Sequence, residues 1–382
     1  MEPVPRILFY VQHLLGVGHL RRTLAIAKAC SGRGVEVHVV SGGVPLKEVS
    51  NLGFDFHQLP PAHIACRDFS CLLQSDGTPI DDHWRSRRSE QLSGLVEGLR
   101  PEVLVTELYP FGRRQLSFEL LPLLCRAREL QTRVVCSIRD VVHKRKDQRE
   151  RETVDLLDKY FACVLVHGDE EFIPLQESFG LADQIRSRMH YTGLVSTAPE
   201  VAGSQVPNGE VIVSAGGGAA GEALYRTAVR AAGLDCVRHF RWRILLGSQA
   251  DPELPGQLLE QAPENVQIEP NRLDFQRLLG KARLSISQAG YNSVVDVLVS
   301  GVPALLVPFQ GDGSETEQPM RGRRLKEIGR AEIIDEDELR PEELAQAVAR
   351  LAGPEPWRLR PWACDGARAS AELIARWARG AR

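Results

Sequence analysis

The sequence predicts an α/β protein of two Rossmann-like domains, each a parallel sheet flanked by helices, with the two sheets facing a central cleft. Three observations predict it. Short β-branched runs alternate with longer helical patterns, the signature of repeated strand–helix–strand units. A stretch rich in small and turn residues, TGLVSTAPEVAGSQVP at 192–207, divides the chain into halves. Each half then opens alike, with a strand, a glycine loop and a helix. A chain of 382 residues has room for both domains.

In the first half, strands are expected over residues 7–11, 35–40, 103–106, 134–138 and 164–167, with helices over 20–29 and 116–130. Leu20, Leu24, Ala25 and Ala27 recur at a spacing that gives the first helix one apolar face. In the second half, strands are expected over 211–214, 243–246, 266–268, 284–287 and 304–307. Helices fall at 222–232, 294–300 and 321–328. Residues 1–195 then make one domain and 206–365 the other. Residues 366–382 form a closing helix that either braces the first domain or packs on the second.

Bulk properties exclude several classes. The net charge of −3 gives no electrostatic reason to expect nucleic acid as partner. Eight cysteines are scattered without a Cys-x-x-Cys pair, so a reduced cytoplasm is expected and a zinc site is not. The opening MEPVPRILFYVQHLLGVGHL has a short apolar run broken by Gly and His and no small-residue cleavage site. It reads as a buried strand entering a glycine loop, not as a signal peptide. No run of about 18 apolar residues exists, so no transmembrane helix is expected.

Three glycine loops are candidate anion sites, because a glycine turn lets backbone N–H groups and a helix N-terminus approach a ligand closely. They are Gly16-Val17-Gly18-His19, the run Gly216-Gly217-Gly218, and Ser287-Gln288-Ala289-Gly290-Tyr291-Asn292-Ser293. A dinucleotide fingerprint does not fit the first, since Arg21 stands where the third glycine belongs and no carboxylate ends the next strand. No Gly-Lys-Ser/Thr follows any glycine run, which excludes a P-loop. Any single loop could be a plain tight turn; three at strand ends in both halves favour phosphate binding.

The most informative stretch is SISQAGYNSVVDVLVSGVPALLVPFQGDGSETEQPMRGRRLKEIG, residues 285–329. It sets backbone donors at a helix start beside Glu315, Glu317 and Gln318. Phosphates need donors, and sugar or ribose hydroxyls need carboxylate and amide partners. This segment resembles the donor-binding half of MurG-type glycosyltransferases, through Gly290-Tyr291-Asn292-Ser293 with Asp296, then Gly301-Val302-Pro303 and Pro308, then Glu317-Gln318. The loop 16–19 and the run 216–218 resemble that family's other glycine loops.

The resemblance implies an inverting GT-B enzyme whose second domain holds the nucleotide. On it, Gly216, Gly217, Gly218, Ser287 and Gly290 to Ser293 cradle the diphosphate. Glu317 and Gln318 contact the donor sugar, Asp296 stands where a glutamate grips the ribose, and Arg272 and Leu273 lie at the base. Uridine is the implied base and N-acetylhexosamine the implied class of sugar. The acceptor, lipid-linked or small, differs from the family's, because Glu107-Leu108-Tyr109-Pro110-Phe111-Gly112-Arg113-Arg114 and Arg139-Asp140 depart from its pattern.

Transfer needs a stabilised leaving diphosphate, a placed hydroxyl and a proton acceptor. Helix N-termini can supply the first without metal or other cofactor, the nucleotide sugar being a co-substrate. The one Asp-x-Asp triplet, Asp335-Glu336-Asp337, sits in an acidic surface run and reads as solvated. His19 is the first candidate base, its ordinary pKa near 6.5 suiting proton uptake; otherwise it caps a helix or touches phosphate. Glu107 is the rival base if burial raises its pKa, or a partner of His19, or an ion pair with Arg113 or Arg114. With Gly16 and Gly18, Arg113, Arg114 and Arg139 are expected on the acceptor side, where Arg forks suit phosphate; otherwise Arg113 and Arg114 are a solvated helix start and Arg139 pairs with Asp140. Trp84-Arg85-Ser86-Arg87-Arg88 is an exposed basic loop or a contact to an anionic membrane face. Two other functions share these features: a GT-B-fold epimerase or hydrolase acting on the nucleotide sugar, and a non-catalytic subunit that keeps the donor pocket.

Overall fold

Contacts divide the chain into two units, residues 1–197 with 365–382, and residues 198–364. The computed structural model describes residues 3–14, 16–46, 52–64, 72–196, 209–216, 221–247, 250–272, 274–311, 313, 315–353 and 359–380.

The first unit runs β1 (Arg6–Val11), α1 (Gly18–Cys30), β2 (Glu36–Ser41), β3 (Asp55–Gln58), the small hairpin β4 (His63–Ile64) and β5 (Leu72–Leu73), α2 (Asp82–Leu99), β6 (Val103–Glu107), α3 (Ser117–Glu129), β7 (Arg133–Arg139), α4 (Asp147–Tyr160), β8 (Cys163–His167) and β9 (Met189–Tyr191). Among the described residues its main sheet has the order β3-β2-β1-β6-β7-β8-β9, every pairing parallel. Burial on both faces explains the near-continuous apolar runs of its central strands. Leu8, Tyr10, Leu104 and Ile138 pack on one face, and Ile7, Phe9, Val103 and Val105 on the other.

The second unit runs β10 (Glu210–Ser214), α5 (Glu222–Ala232), β11 (Arg241–Leu246), α6 (Leu254–Leu259), β12 (Val266–Pro270), α7 (Phe275–Leu279), β13 (Leu284–Ser287), α8 (Tyr291–Ser300), β14 (Ala304–Leu306), α9 (Glu317–Glu327), β15 (Glu332–Ile333) and α10 (Pro341–Leu351). Its sheet order is β12-β11-β10-β13-β14-β15, again parallel. The last helix, α11 (Gly366–Ala378), belongs to the first unit. Its Ala371, Ile374 and Trp377 join Ile7, Phe9 and Leu20 in one apolar cluster, and it lies along α1.

The stretch at 84–88 is not a loop. It lies in α2, where Asp81 caps the helix by accepting from the Trp84 N–H at 2.7 Å, and Arg100 ends it in the left-handed region. Trp84 and Arg88 face inward, Arg88 fully buried on the Glu119 carboxylate, with Tyr10 on the same carboxylate. Trp84 and Arg88 therefore present neither ring nor charge to a membrane face. Among the described residues no helix is long and apolar enough to cross a membrane.

Candidate functional site

Sheet order decides where a ligand can sit. In each unit the first strand has the second on one side and the fourth long strand on the other, so the order of winding reverses there. Loops leaving the carboxyl ends of two such neighbours diverge and open a crevice. In the first unit those neighbours are β1 and β6; in the second they are β10 and β13.

His19 is the second residue of α1, just past the loop after β1, and Glu107 is the last residue of β6. His19 Nδ1 lies 2.8 Å from Glu107 Oε1, across the crevice of the first unit. The Glu107 carboxylate is 2 % exposed and also accepts from Arg22 Nη2 and, at 2.7 Å, from Ser137 Oγ. Ser137 in turn lies 2.9 Å from His167 Nε2, whose Nδ1 is 2.9 Å from Thr192 Oγ1. A hydroxyl has one proton, so Ser137 donates to Glu107 and accepts from His167 Nε2–H, and Thr192 donates to His167 Nδ1. The ionised Glu107 orders the proton on His19 in the same way. Nδ1 carries it, and Nε2 keeps a lone pair.

Burial alone would raise the Glu107 pKa. The Arg22 guanidinium, with the hydrogen bonds from His19 and Ser137, outweighs it and holds the carboxyl well below the usual range. Glu107 is thus not the raised carboxylate a base would require, and its ion pair is with Arg22 rather than Arg113 or Arg114. Burial lowers His19 to about 3, reinforced by Arg113 and Arg22 and opposed by Glu107, so the imidazole is neutral near pH 7. The side chain stays 15 % exposed.

The arginines separate. Arg113, in the left-handed region with φ 62°, donates from Nε to the Gln12 carbonyl at 2.9 Å. Burial, and then the nearby charge of Arg139, bring its pKa down to about 10. Among the described residues, the Gln12 bond is the only hydrogen bond of its guanidinium. Arg139 ends β7, beside β6. Arg114 turns away and ties Glu152, the Arg149 carbonyl and Thr153 Oγ1 of α4, so it is an anchor between helices and not part of this group. Gly18 is the first residue of α1, which has no side-chain cap and no acid in its first turn, and Gly16 is exposed before it.

In the second unit Ser214 and Ser287 are register partners at the ends of β10 and β13. Gly216 follows the first with φ 73°, and a Cβ built there would sit 3.7 Å from Ser293 Oγ. Gly290 caps α8, again with no side-chain cap and no acid in the first turn, and a Cβ on it would meet nothing within 4 Å. The loops of residues 216 and 290–293 thus share one crevice, in which the Gly216 N–H donates to Ser214 Oγ at 3.3 Å. Ser287 Oγ is buried with no hydrogen-bond partner among the described residues. Tyr291 is buried, and Asn292 and Ser293 are half-buried.

Residues 211–364 match the model of the glycosyltransferase family 28 C-terminal domain. This part of the chain is similar to glycosyltransferase family 28. The chain is 30% identical over 203 residues to the UDP-N-acetylglucosamine--N-acetylmuramyl-(pentapeptide) pyrophosphoryl-undecaprenol N-acetylglucosamine transferase of Synechococcus elongatus, covering 52% of this chain and 53% of that protein. It therefore spans about half the length of the curated relatives it matches. Among solved structures it is similar to MurG of Acinetobacter baumannii, with TM-score 0.57 and 18% identity over 99% of this chain and 96% of that one. It is also similar to a UDP-glucosyltransferase from Polygonum tinctorium, with TM-score 0.62 and 18% identity over 99% and 94%. The fold is GT-B.

Within residues 211–364 several of the side chains that the resemblance assigns to the donor have partners inside the protein. Glu317 is 4 % exposed and pairs with the buried Arg321 at 3.2 Å, within α9. Gln318 Oε1 accepts from the Ala289 and Phe309 N–H groups at 3.0 and 3.1 Å, clamping the loop after β13 to the loop after β14. Only its amide NH2 is left for a ligand. Asp296 accepts from Gln276 of α7. Arg272 forks onto Asp274 at 2.8 and 3.0 Å, while its N–H is held by Asn271 Oδ1. Gly217, Gly218 and Leu273 lie outside the described residues. In the acidic triplet, Glu336 accepts from the Gln310 N–H at 2.8 Å and so braces the loop after β14.

Sequence reasoning missed Arg22, Ser137 and His167. Arg22 carried a signal: it is one helical turn beyond His19, on the same face. Ser137 and His167 lie on strands that only the sheet order brings beside Glu107.

Proposed function

We propose that this chain transfers a sugar from a nucleotide-diphosphate donor to an acceptor hydroxyl, with inversion and without a metal ion. The observation that carries the proposal is the His19–Glu107 hydrogen bond across the first unit's crevice, in a chain whose other unit matches the family 28 C-terminal model and starts α8 without a side-chain cap.

His19 Nε2 accepts the proton of the acceptor hydroxyl as its oxygen attacks the anomeric carbon. Glu107 orients the ring and stabilises the imidazolium that forms, through the Nδ1–H bond. Displacement from the face opposite the leaving group inverts the anomeric centre. The departing diphosphate gathers negative charge, which the N–H groups at Gly290 to Ser293 and beside Gly216 stabilise without reorganising. Gln318 offers its NH2 to the sugar, and the segment around Arg272 lies on the base side. The donor proposed is a UDP-linked N-acetylhexosamine, as in the Synechococcus relative. Arg113 and Arg139 favour an acceptor with an anionic group near its hydroxyl, lipid-linked or small, met in the cytoplasm or at the inner face of the membrane.

Thermal-shift measurements with nucleotide-diphosphate sugars, followed by detection of released nucleotide, test this reading. Stabilisation by UDP-N-acetylhexosamines above other donors, with UDP release only when acceptor is present, is expected. UDP release with free sugar alone points to a hydrolase, and donor binding untouched by His19→Ala with no turnover at all points to a binding subunit.

A further inference from the structure

A second cluster of reactive side chains lies on the edge of the first sheet. Strands β2 and β3 run parallel, with His38 opposite Asp55 and Val40 opposite His57. Side chains two apart on a strand share a face, so Glu-x-His on β2 and Asp-x-His on β3 project on the same side. His38 is 3 % exposed, His57 half-buried and Asp55 exposed.

The atoms converge on the His38 ring. Its Nε2 lies 3.0 Å from Glu36 Oε1. Its Nδ1 lies 3.2 Å from His57 Nε2 and 3.4 Å from Asp55 Oδ2. Glu36, His38 and Asp55 each offer a ligand atom within 4.8 Å of the others. Around a tetrahedral zinc ion with bonds of about 2.0 Å, ligand atoms stand about 3.3 Å apart. Both short separations at Nδ1 have that length. The Glu36 carboxylate also fixes the tautomer. With Nε2–H donated to it, Nδ1 turns a lone pair toward His57 and Asp55, the carboxylate–histidine–metal arrangement of many metal sites. Arg6 Nε anchors the other Glu36 oxygen at 3.0 Å.

We propose that His38, His57 and Asp55 bind a divalent transition metal ion, with Glu36 supporting His38 from behind. The mixed imidazole and carboxylate donors suit Zn²⁺, Co²⁺ or Ni²⁺ better than Mg²⁺ or Ca²⁺. Asp55 turns about two exposed torsions to close on the ion, and water completes the shell. Bound metal clips the edge strand β3 to β2, so its binding appears as stability of the first unit. The site is separate from His19 and takes no part in sugar transfer.

The test uses the full chain without an affinity tag, stripped with a chelator and titrated with Co²⁺ while its visible d–d absorption is followed. Saturation at a single equivalent, intense tetrahedral bands and their loss on adding Zn²⁺ are expected. Glu36→Gln should weaken Co²⁺ binding by roughly 10–100-fold, and His57→Ala or Asp55→Ala by at least as much. Thermal melts without metal check that these variants fold. Zn²⁺ should raise the melting temperature of the parent chain and leave those of His57→Ala and Asp55→Ala unmoved. Absence of saturable binding, or binding that survives in folded His57→Ala and Asp55→Ala, overturns the proposal and makes the cluster a hydrogen-bonded network only.

Discussion

At the scale of single residues, each polar contact of Glu107 bears on the proton that the proposed mechanism gives to His19. Replacing His19 by Ala should lower kcat by about 10²–10⁴-fold while leaving donor-induced stabilisation intact, which steady-state kinetics and thermal shift read separately. Ser137→Ala removes one donor to a carboxylate that keeps Arg22 and His19, so a smaller loss in kcat is expected, with KM for the donor unchanged. The histidines also set a pH dependence of stability. Burial holds His19 and His167 at about 3, whereas both titrate near 6.5 when unfolded. The unfolded chain thus binds more protons between those values, and stability falls as pH drops below about 6.5. Melting temperatures recorded from pH 7.5 to 5 should decline, and less steeply in His167→Gln.

At the scale of elements, the proposed anion chemistry falls to helix starts, and their first turns differ in charge. Both α1 and α8 begin without acid, while α9 begins with Glu317 bonded to Arg321 of its own next turn. Glu317→Ala leaves a buried guanidinium short of a partner and should cost about 3 kcal/mol or more of stability, measured by denaturant unfolding. A role on the sugar would instead change donor KM with stability unmoved. Gly290→Val is the converse case. The position has ordinary φ and open space, so the fold should hold, while the added side chain intrudes where the diphosphate is proposed and abolishes donor-induced stabilisation. These elements show how far the sequence could be read. The strand–loop–helix units around His19 and Gly290 were legible because their apolar runs and glycines are local. The role of Glu317 was not, because whether a carboxylate points to a ligand or to Arg321 depends on how α9 turns against its sheet.

For the whole chain, the order of winding in each parallel sheet reverses beside its first strand, and His19, Glu107, Ser214, Gly216 and Gly290 lie at those reversals. The closing helix belongs to the first unit although it follows the second in sequence. Ile374 is fully buried against Ile7 and Phe9 of β1, so Ile374→Ala should destabilise the first unit by about 2–5 kcal/mol, seen as a lower unfolding midpoint. The donor binding proposed for the second unit should be unchanged in Ile374→Ala, read by isothermal titration below its unfolding midpoint.

The amino-acid order alone determined the alternation of strand and helix, the glycine loops and the resemblance in residues 285–329, since each depends on neighbours a few positions apart. Tertiary structure decided what no local pattern contains. Parallel pairing of β1 with β6 brings His19 to Glu107 across 88 positions, and β6 with β7 adds Ser137. In-register pairing of β2 with β3 likewise gathers two histidines and two carboxylates that a count of cysteines cannot reveal. Crossover connections set distances in space independently of distance along the chain, and charge and proton chemistry follow the former.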